Sequence, residues 1–522
     1  MQALPTLGLA LLASLASLAP PAAGDLLDLT GEKPDAAYDA STDRYLVVWH
    51  EDLGGNVFEV HGHFVGGDGA QQGSEFTISH TAGTHFNPAV ANVNGSDRFL
   101  VVWQESYTGG SNIWCRAVTA ATGALSPVTQ ITSGGSNTDP DVGGERTLLH
   151  SAAVVVWNSV STGILGYEVE VPATGAPVPT ALFVPTAAGA ATAPAISQSG
   201  GVAGRWLVTW QETFGFAHRI MGAAIERGGV VAAPATQLHV NTANEPTPAV
   251  DGNAARWLVA FVDAEPSGSG QDVFCVQVEH DGGVLTASPA TKIEGEVNDS
   301  EVMPAVGWTG EAYLVAYADV DTSSLGTTTY DLHLKAIDPL DCTVCQPEEI
   351  VSDLPLNDER FPAFAAEHAG GATGGDGALL VYDSDATDVW ELLRHTDAGL
   401  AVELGGGCGG GGTASVHCPV AGNPGVAHRN EGLTPGDLAW LVMSTTQGNA
   451  TCGSCTLVPA IAGGFTFSAV AGPDGVAQVT TSVPANPALV GLVYWEQWIR
   501  FPGTANCLLG VDLSTALEVT VE

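Results

Sequence analysis

Six acidic side chains recur just after the most apolar segments of the chain, and their placement is the first sign of chemistry. Five follow the last aromatic of such a segment by two residues and the sixth by one residue: Glu51, Glu105, Glu212, Asp263, Asp319 and Asp383. Carboxylates gathered at one edge create a negative field that attracts cations or a basic partner. Alternatively, they only keep exposed strand ends soluble and unpaired. We take the six as a candidate ligand-binding set.

Two further groups offer metal ligands. Asp383, Asp385 and Asp388 carry the oxygen ligands that Ca²⁺ prefers, although their spacing is not that of a recognised calcium loop. His61 and His63 alternate along one predicted strand, where they would serve either as metal ligands or as part of a solvated edge. Calcium is the one candidate cofactor, and no other cofactor is expected.

Motifs that define a reaction are missing from the sequence. It contains no nucleophile elbow, no phosphate-binding glycine loop before a helix and no HExxH. The sialidase-type Asp-box does not recur either. We therefore assign no catalytic residue. A glycosidase that uses two carboxylates stays open, because 57 acidic residues leave no basis for choosing a pair.

Nine cysteines suggest disulfides in an exported chain. The candidates are Cys342, Cys345, Cys408, Cys418, Cys452, Cys455 and Cys507. The first two and the next two are close enough in sequence to close local loops. Cys115 and Cys275 fall in predicted strands, where we expect buried thiols. Zinc shared by the two CxxC units is disfavoured, because 106 residues separate them.

Charge and the amino terminus limit the partners. The net charge of −42 would repel a phosphate backbone or an anionic membrane surface, so we expect no nucleic-acid partner. Residues 1–24 begin with an apolar run and end in small residues, which predicts a signal peptide. No later apolar run is long enough to span a membrane. We therefore expect a secreted or cell-surface protein without membrane insertion, and a monomer.

A short apolar segment ending in an aromatic recurs seven times from Tyr45–Trp49 onward, roughly every 54 residues. A proline marker precedes each copy: Pro34, Pro88, Pro140, Pro194, Pro248, Pro304 and Pro362. With the alternating segments that follow, each repeat predicts four short strands. A continuously apolar strand suits a sheet covered on both faces. Such sheets pack radially, so the sequence predicts an all-β, seven-bladed β-propeller.

The propeller is predicted over residues 25–404, and a small β-sandwich over residues 405–522. Two segments compete for the outer strand of the seventh blade. Leu26–Thr30 would join the two chain ends, whereas Leu400–Leu404 would complete the blade from its own repeat. A glycine-rich break at 405–412 separates the two predicted domains.

Residues 34–404 resemble the β-propeller repeats of secreted bacterial proteins, through the Pro-Ala-Val and Tyr-Leu-Val-Val-Trp motifs. Residues 405–522 resemble a C-terminal β-sandwich module of exported bacterial proteins, through Gly406–Cys408, Glu496–Trp498 and Leu513–Val521. The resemblance implies fold and export, and it implies no activity, because propellers carry many unrelated functions.

We therefore expect an exported, non-enzymatic binding or adhesion protein that recognises a glycan or a protein through a propeller face. One alternative is a carbohydrate-active hydrolase or lyase on the same scaffold. Another is a structural protein of the cell surface. A deep pocket with clustered carboxyl groups of raised pKa would favour the enzyme, and a shallow or uniformly charged face would favour the binding protein.

Overall fold

A computed structural model of the chain describes residues 25–521 with short gaps. The gaps are 29–30, 81–82, 146, 184, 186–190, 202, 215–216, 242–246, 253–255, 265–269, 294–299, 310–311, 323–327, 339–341, 343, 346–348, 353–357, 367–376, 385–387, 396–400, 406–407, 409–412, 418–425, 453–454, 473–476, 485, 490 and 502–510. The predicted signal peptide, residues 1–24, lies outside the described residues.

The described chain is almost entirely β-strand. After β1 (Asp25–Asp28), blade 1 contains β2 (Gly31–Asp39), β3 (Arg44–Asp52), β4 (Phe58–Gly66) and β5 (Gln71–Thr77). Blade 2 contains β6 (His85–Val93), β7 (Arg98–Tyr107), β8 (Gly110–Thr119) and β9 (Thr129–Gln130). Blade 3 contains β10 (Asn137–Gly143), β11 (Ala152–Ser159), β12 (Gly163–Glu170) and β13 (Val178–Phe183). Blade 4 contains β14 (Ala191–Ile196), β15 (Arg205–Phe214), β16 (Ala217–Glu226) and β17 (Val230–Asn241).

The remaining blades follow the same order. Blade 5 contains β18 (Ala249–Gly252), β19 (Arg256–Ala264) and β20 (Gln271–Asp281), and both β21 (Val284–Ala287) and β22 (Thr291–Lys292) pair with β20. Blade 6 contains β23 (Glu301–Trp308), β24 (Tyr313–Thr322), β25 (Thr328–Ile337) and β26 (Glu349–Ser352). Blade 7 contains β27 (Glu359–Ala366), β28 (Gly377–Ser384) and β29 (Asp388–His395), with β1 paired to β29 as its outer strand.

The seven sheets form a closed ring. Each innermost strand contacts the innermost strand of the next blade, and β27 of blade 7 returns to β2 of blade 1. Of the two candidates for the outer strand of blade 7, the N-terminal one therefore takes the place. The other, described as β30 (Ala401–Gly405), pairs instead with a strand of the C-terminal region, at Asp512–Thr520.

The apolar strand of each repeat supplies two cores at once. In β3, Leu46 and Val48 pack against blade 2, whereas Tyr45, Val47 and Trp49 pack against blade 7. All five side chains are fully buried. Fully burying one such side chain stabilises a fold by roughly 1.5–3 kcal/mol. The sheets are thus covered on both faces, which confirms the all-β propeller inferred from the apolar repeat.

The C-terminal region is a small β-sandwich. Its strands after β30 are β31 (Thr413–His417), β32 (Val426–Glu431), β33 (Leu438–Ser444), β34 (Gln447–Cys452), β35 (Cys455–Pro459), β36 (Phe465–Val470), β37 (Ala477–Thr481), β38 (Val493–Phe501) and β39 (Asp512–Thr520). A five-stranded sheet (β30, β39, β38, β33, β36) faces a three-stranded one (β31, β32, β37), and β34 and β35 form a hairpin. Trp498 and Leu441 of the first sheet share a core with Ala477 of the second.

Two short 3₁₀ turns, Asn94–Ser96 and Pro487–Leu489, are the helical elements of the described chain. Neither these turns nor any other helix among the described residues is long and apolar enough to cross a membrane.

Candidate functional site

The proline marker sits at a bulge in the innermost strand of every blade except blade 5. In six blades the residue before the proline has a positive φ of 49–54°, and the strand register shifts there: Lys33, Asn87, Asp139, Ala193, Met303 and Phe361. A positive φ is uncommon for residues other than glycine. Bulges re-aim side chains, and in this ring they bring the residues before the prolines to the central channel.

A cavity of 390 Å³ occupies the mouth of this channel. The seven buried proline rings form its wall. Three polar side chains at its rim, Lys33, Asn87 and Asp139, belong to blades 1–3, and a fourth, Thr247, belongs to blade 5. The apolar Met303 and Phe361 lie across the mouth from the first three, on blades 6 and 7. The charged and amide groups thus form a polar side of the mouth, and the two large apolar side chains form an apolar side.

Hydrogen bonds hold the polar side of the mouth in one arrangement. The Nζ of Lys33 donates to the Oδ1 of Asn87 at 3.2 Å, and the Nδ2 of Asn87 donates to the Oδ1 of Asp139 at 3.2 Å. The same Lys33 Nζ lies 5.0 Å from the ring centre of Phe361, within the range of a cation–π contact. The cation is therefore fixed between the amide and the aromatic ring.

Asp35 and Asp141 lie one residue past their prolines and line both the mouth and a deeper cavity of 170 Å³. Each also ties its blade to the next, because Asp35 accepts the N–H of Val90 at 2.7 Å and Asp141 accepts that of Ile196 at 2.8 Å. Burial, and then the charge of Asp141, raises the pKa of Asp35 to about 8. Burial raises the pKa of Asp141 to about 6, against the hydrogen bonds that it accepts.

Gln198 narrows the far end of the channel. It lies in the loop between β14 and β15, at the opposite end of the blade from the mouth. Its side-chain amide donates across the ring to the carbonyl oxygens of Ala36, at 3.4 Å, and of Phe364. Its backbone N–H donates to Asp251 at 3.1 Å. The channel is therefore a pocket entered from the face that carries Lys33 and Asp139.

The predicted acidic set contacts histidines, and its role as a ligand-binding surface stays a prediction. Four of its members lie against histidines of neighbouring strands: Glu51 Oε2 is 3.4 Å from His61 Nε2, Glu105 Oε1 is 3.3 Å from His85 Nε2, Asp263 Oδ2 is 2.7 Å from His239 Nε2 and Asp319 Oδ2 is 4.0 Å from His333 Nε2. Glu212 is half-buried and pairs across the strands with Ala191. Four of the six acidic positions predicted from sequence thus form carboxylate–imidazole contacts.

Asp383 is buried and has a structural role. Its Oδ2 accepts the backbone N–H of Lys33 at 3.1 Å, just as Gln104, at the equivalent position of blade 2, accepts the N–H of Asp139 at 3.3 Å. Burial raises its pKa to about 7. The proposed calcium ligand Asp385 and the side chain of Asp388 lie outside the described residues. Calcium binding there stays a prediction.

Two expectations about single residues are wrong. His61 and His63 are both buried, so they are not part of a solvated edge. Cys342 is a buried free thiol, so it forms no disulfide with its neighbour Cys345, which is disulfide-bonded. A thiol behaves as a small apolar group with a weak donor, so Cys342 packs with Val344 and Ile337 at little cost.

The structure tests only some of the other cysteine predictions. Cys408 is disulfide-bonded as expected. Cys115 and Cys275 are buried thiols, which confirms that expectation. Cys418 and Cys507, and the side chains of Cys452 and Cys455, lie outside the described residues.

Sequence reasoning missed the channel mouth as a site. Lys33 and Asn87 were not singled out, nor was Asp35. The signal was available, because the residue before each proline marker is the one that the bulge brings to the channel. The marker itself was interpreted only as a repeat boundary.

Comparisons with known proteins identify no family for this chain. No family model matches it, and no curated protein sequence matches it. A thermostable family-43 glycoside hydrolase matches with 12% identity over 51% of this chain and 96% of its own, at a TM-score of 0.29. The α-L-arabinofuranosidase of Podospora anserina matches with 10% identity over 48% and 89%, at a TM-score of 0.28.

A mutant of the Trypanosoma rangeli sialidase covers more of the chain. It matches with 9% identity over 94% of this chain and 88% of its own, at a TM-score of 0.38. At such identities and TM-scores, these neighbours assign neither substrate nor activity. The strand topology itself defines the class: a seven-bladed β-propeller protein with a C-terminal β-sandwich.

Proposed function

We propose that this is an exported, non-enzymatic binding protein that takes a carbohydrate into the mouth of its propeller channel. The observation that carries the proposal is the division of that mouth into a polar side (Lys33, Asn87, Asp139) and an apolar side (Met303, Phe361). A sugar ring has the same division, with hydroxyl groups along its edge and C–H groups on its faces. The 390 Å³ cavity is within the range of small-ligand sites.

Electrostatics also support a neutral, hydroxyl-rich ligand. The Lys33 ammonium is the one cation among the described residues that line the mouth, and it already contacts Asn87 and Phe361. An anionic ligand would meet Asp35, Asp139 and Asp141 in the same cavity. Hydroxyl groups both donate to carboxylates and accept from an ammonium or amide, so they satisfy this mixed lining.

Export rests on the predicted signal peptide. Cleavage before Asp25 would leave β1 at the start of the mature chain, where it completes blade 7. Adhesion at a surface would then use the channel face. The C-terminal sandwich follows the propeller along the chain, after the glycine-rich segment 405–412.

A glycan array probed with the mature protein tests the proposal, followed by calorimetric titration of the best sugar. Asp139→Asn preserves the size of the side chain, and asparagine also tolerates the positive φ at this position, so the variant should fold. Because the substitution removes the carboxylate, we expect a loss of at least fivefold in affinity. Asp97→Asn is the matched control, because Asp97 is also exposed, has a φ of 51° and lies in a hairpin at the opposite end of its blade. Equal affinity in both variants would reject the channel mouth as the site.

One observation favours a second function, a glycoside hydrolase. Asp35 and Asp141 share the channel, and their environments separate their pKa values to about 8 and about 6. Near neutral pH, Asp35 would hold a proton for a leaving group while Asp141 acts as base or nucleophile. Hydrolysis of chromogenic glycosides that Asp35→Asn and Asp141→Asn each abolish would establish this function. Sugar binding without turnover would leave the binding protein.

A further inference from the structure

Two histidines and one glutamate converge at the junction of blades 1 and 2. His80 lies in the connection after β5, His85 begins the innermost strand β6, and Glu105 lies near the end of β7. One ligand atom from each of the three lies within 4.8 Å of the others. The strand register places His85 directly opposite Glu105, which is why both face one point.

The His85–Glu105 contact is a long hydrogen bond, and both nitrogen–oxygen distances in the cluster also suit ligands that share one ion. Glu105 Oε1 is 3.3 Å from the Nε2 of His85 and 3.6 Å from the Nε2 of His80. An N–H···O bond is typically about 2.9 Å long. Two ligands each about 2.1 Å from a tetrahedral ion are separated by about 3.4 Å. By contrast, the His239–Asp263 pair is 2.7 Å apart, as a hydrogen bond requires.

The surroundings hold the imidazole rings in place. His80 packs against Trp114 with ring centres 4.7 Å apart and lies 4.8 Å from the ring of His85. The edge of Trp103 faces His85 at 6.4 Å. His85 is fully buried, whereas the side chains of His80 and Glu105 are each 23% exposed. The cluster is therefore fixed on its inner side and open to solvent on its outer side.

The donor atoms of the cluster indicate which ion it would bind. Two nitrogen ligands and one carboxylate oxygen match the preference of Zn²⁺ and similar transition ions, and not that of Ca²⁺.

We propose that His80, His85 and Glu105 form a binding site for a divalent transition-metal ion of the Zn²⁺ class, with a fourth coordination position open to solvent. A site with three protein ligands and an open position can bind water or an external ligand. Asn87 of the channel mouth lies two residues beyond His85, so such a ligand would meet the same face of the propeller. The metal site does not depend on the proposed carbohydrate binding.

A second cluster in blade 1 provides the internal comparison. Glu51, His61 and Glu75 also lie within 4.8 Å of one another, but the two glutamates approach different nitrogens of one ring, Nε2 and Nδ1. One imidazole and two carboxylates that contact opposite sides of its ring form a poorer zinc site than two imidazoles that share one oxygen.

The test is a titration of the tag-free, metal-stripped protein with Zn²⁺ by calorimetry, and with Co²⁺ by visible absorption. We expect the tightest equivalent of Co²⁺ to show the intense bands of four-coordinate cobalt. Glu105→Gln and His80→Asn should each weaken Zn²⁺ binding at least tenfold. Glu212→Gln is the matched control, because Glu212 occupies the same register in blade 4, and it should leave binding unchanged.

Glu75→Gln distinguishes the two clusters and should also leave binding unchanged. Each variant is first checked by thermal melting without metal, and the partly exposed positions of Glu105 and His80 predict that both variants fold. The proposal is overturned if the wild-type protein binds no Zn²⁺. It is also overturned if Glu75→Gln removes the tight equivalent while Glu105→Gln keeps it.

Discussion

The charge of Asp35 should reduce the stability of the propeller at neutral and alkaline pH, and Asp35→Asn should restore it. The asparagine keeps an oxygen that accepts the N–H of Val90, so the tie between blades 1 and 2 survives the change. What the substitution removes is a carboxylate close to Asp141 in a poorly hydrated channel wall.

The sign follows from proton binding. The pKa of Asp35 rises from 3.8 to about 8 on folding, so between these values the folded chain holds a proton that the unfolded chain releases. Stability therefore falls as pH rises from about 4 to about 8. The rise of about 4 units corresponds to an upper limit of about 6 kcal/mol, at about 1.4 kcal/mol per unit. Water in the channel screens part of this, and we expect about 2 kcal/mol.

Urea unfolding of the two proteins at pH 4 and pH 8 measures the effect. The variant should be close in stability to the wild-type protein at pH 4 and exceed it by about 2 kcal/mol at pH 8. Asp68→Asn, in an exposed turn, is the control and should change neither value. If Asp35→Asn changed the stability equally at both pH values, the charge of the carboxylate would have no cost in the folded state, and the reasoning would fail.

Three further predictions concern the rest of the fold. Glu496→Ala should destabilise the C-terminal sandwich by about 3 kcal/mol in urea unfolding, because it leaves His428 buried without the carboxylate that lies 2.6 Å away; Glu496→Gln should cost less than half as much, and equal losses would contradict this account. Deletion of Asp25–Asp28 should lower the propeller's stability by about 2 kcal/mol, because Leu27 leaves the core between blades 7 and 1 and β29 loses its partner; an unchanged melting curve would argue against closure by β1. Alkylation followed by mass spectrometry should modify Cys115, Cys275 and Cys342 in urea and none of the three in the native protein. Labelling of any of them in the native protein would contradict their burial.

The blade architecture could be predicted because it depends on local patterns that repeat. A strand such as Tyr45–Trp49 has apolar side chains at every position, and a strand of this kind is stable only where both of its faces are covered. Seven such strands at near-constant spacing define seven sheets. The choice between β1 and β30 for the last strand was not available from sequence, because both segments are short and alternate in the same way. The pairing of β1 with β29, which is distant in sequence, decided which segment completes blade 7.

The candidate site could be predicted only in part. The register of Glu51 and Glu105 is visible in the sequence, because it follows an aromatic residue at a fixed distance. The histidines that contact these acids come from other strands, at separations that differ from blade to blade. His61 lies ten residues after Glu51, whereas His85 lies twenty before Glu105. No periodic pattern connects them, so the sequence could not show that histidines lie against the acidic register.

By itself, the sequence determined the seven sheets, their covered faces and the acidic register at the strand ends, because each depends on residues close together in one repeat. The tertiary structure alone decided which side chains meet. Ring closure brings Lys33, Asn87 and Asp139 from three blades to one channel mouth, and strand pairing brings His85 against Glu105. Those contacts join residues whose spacing along the chain carries no signal, and they are the contacts on which binding depends.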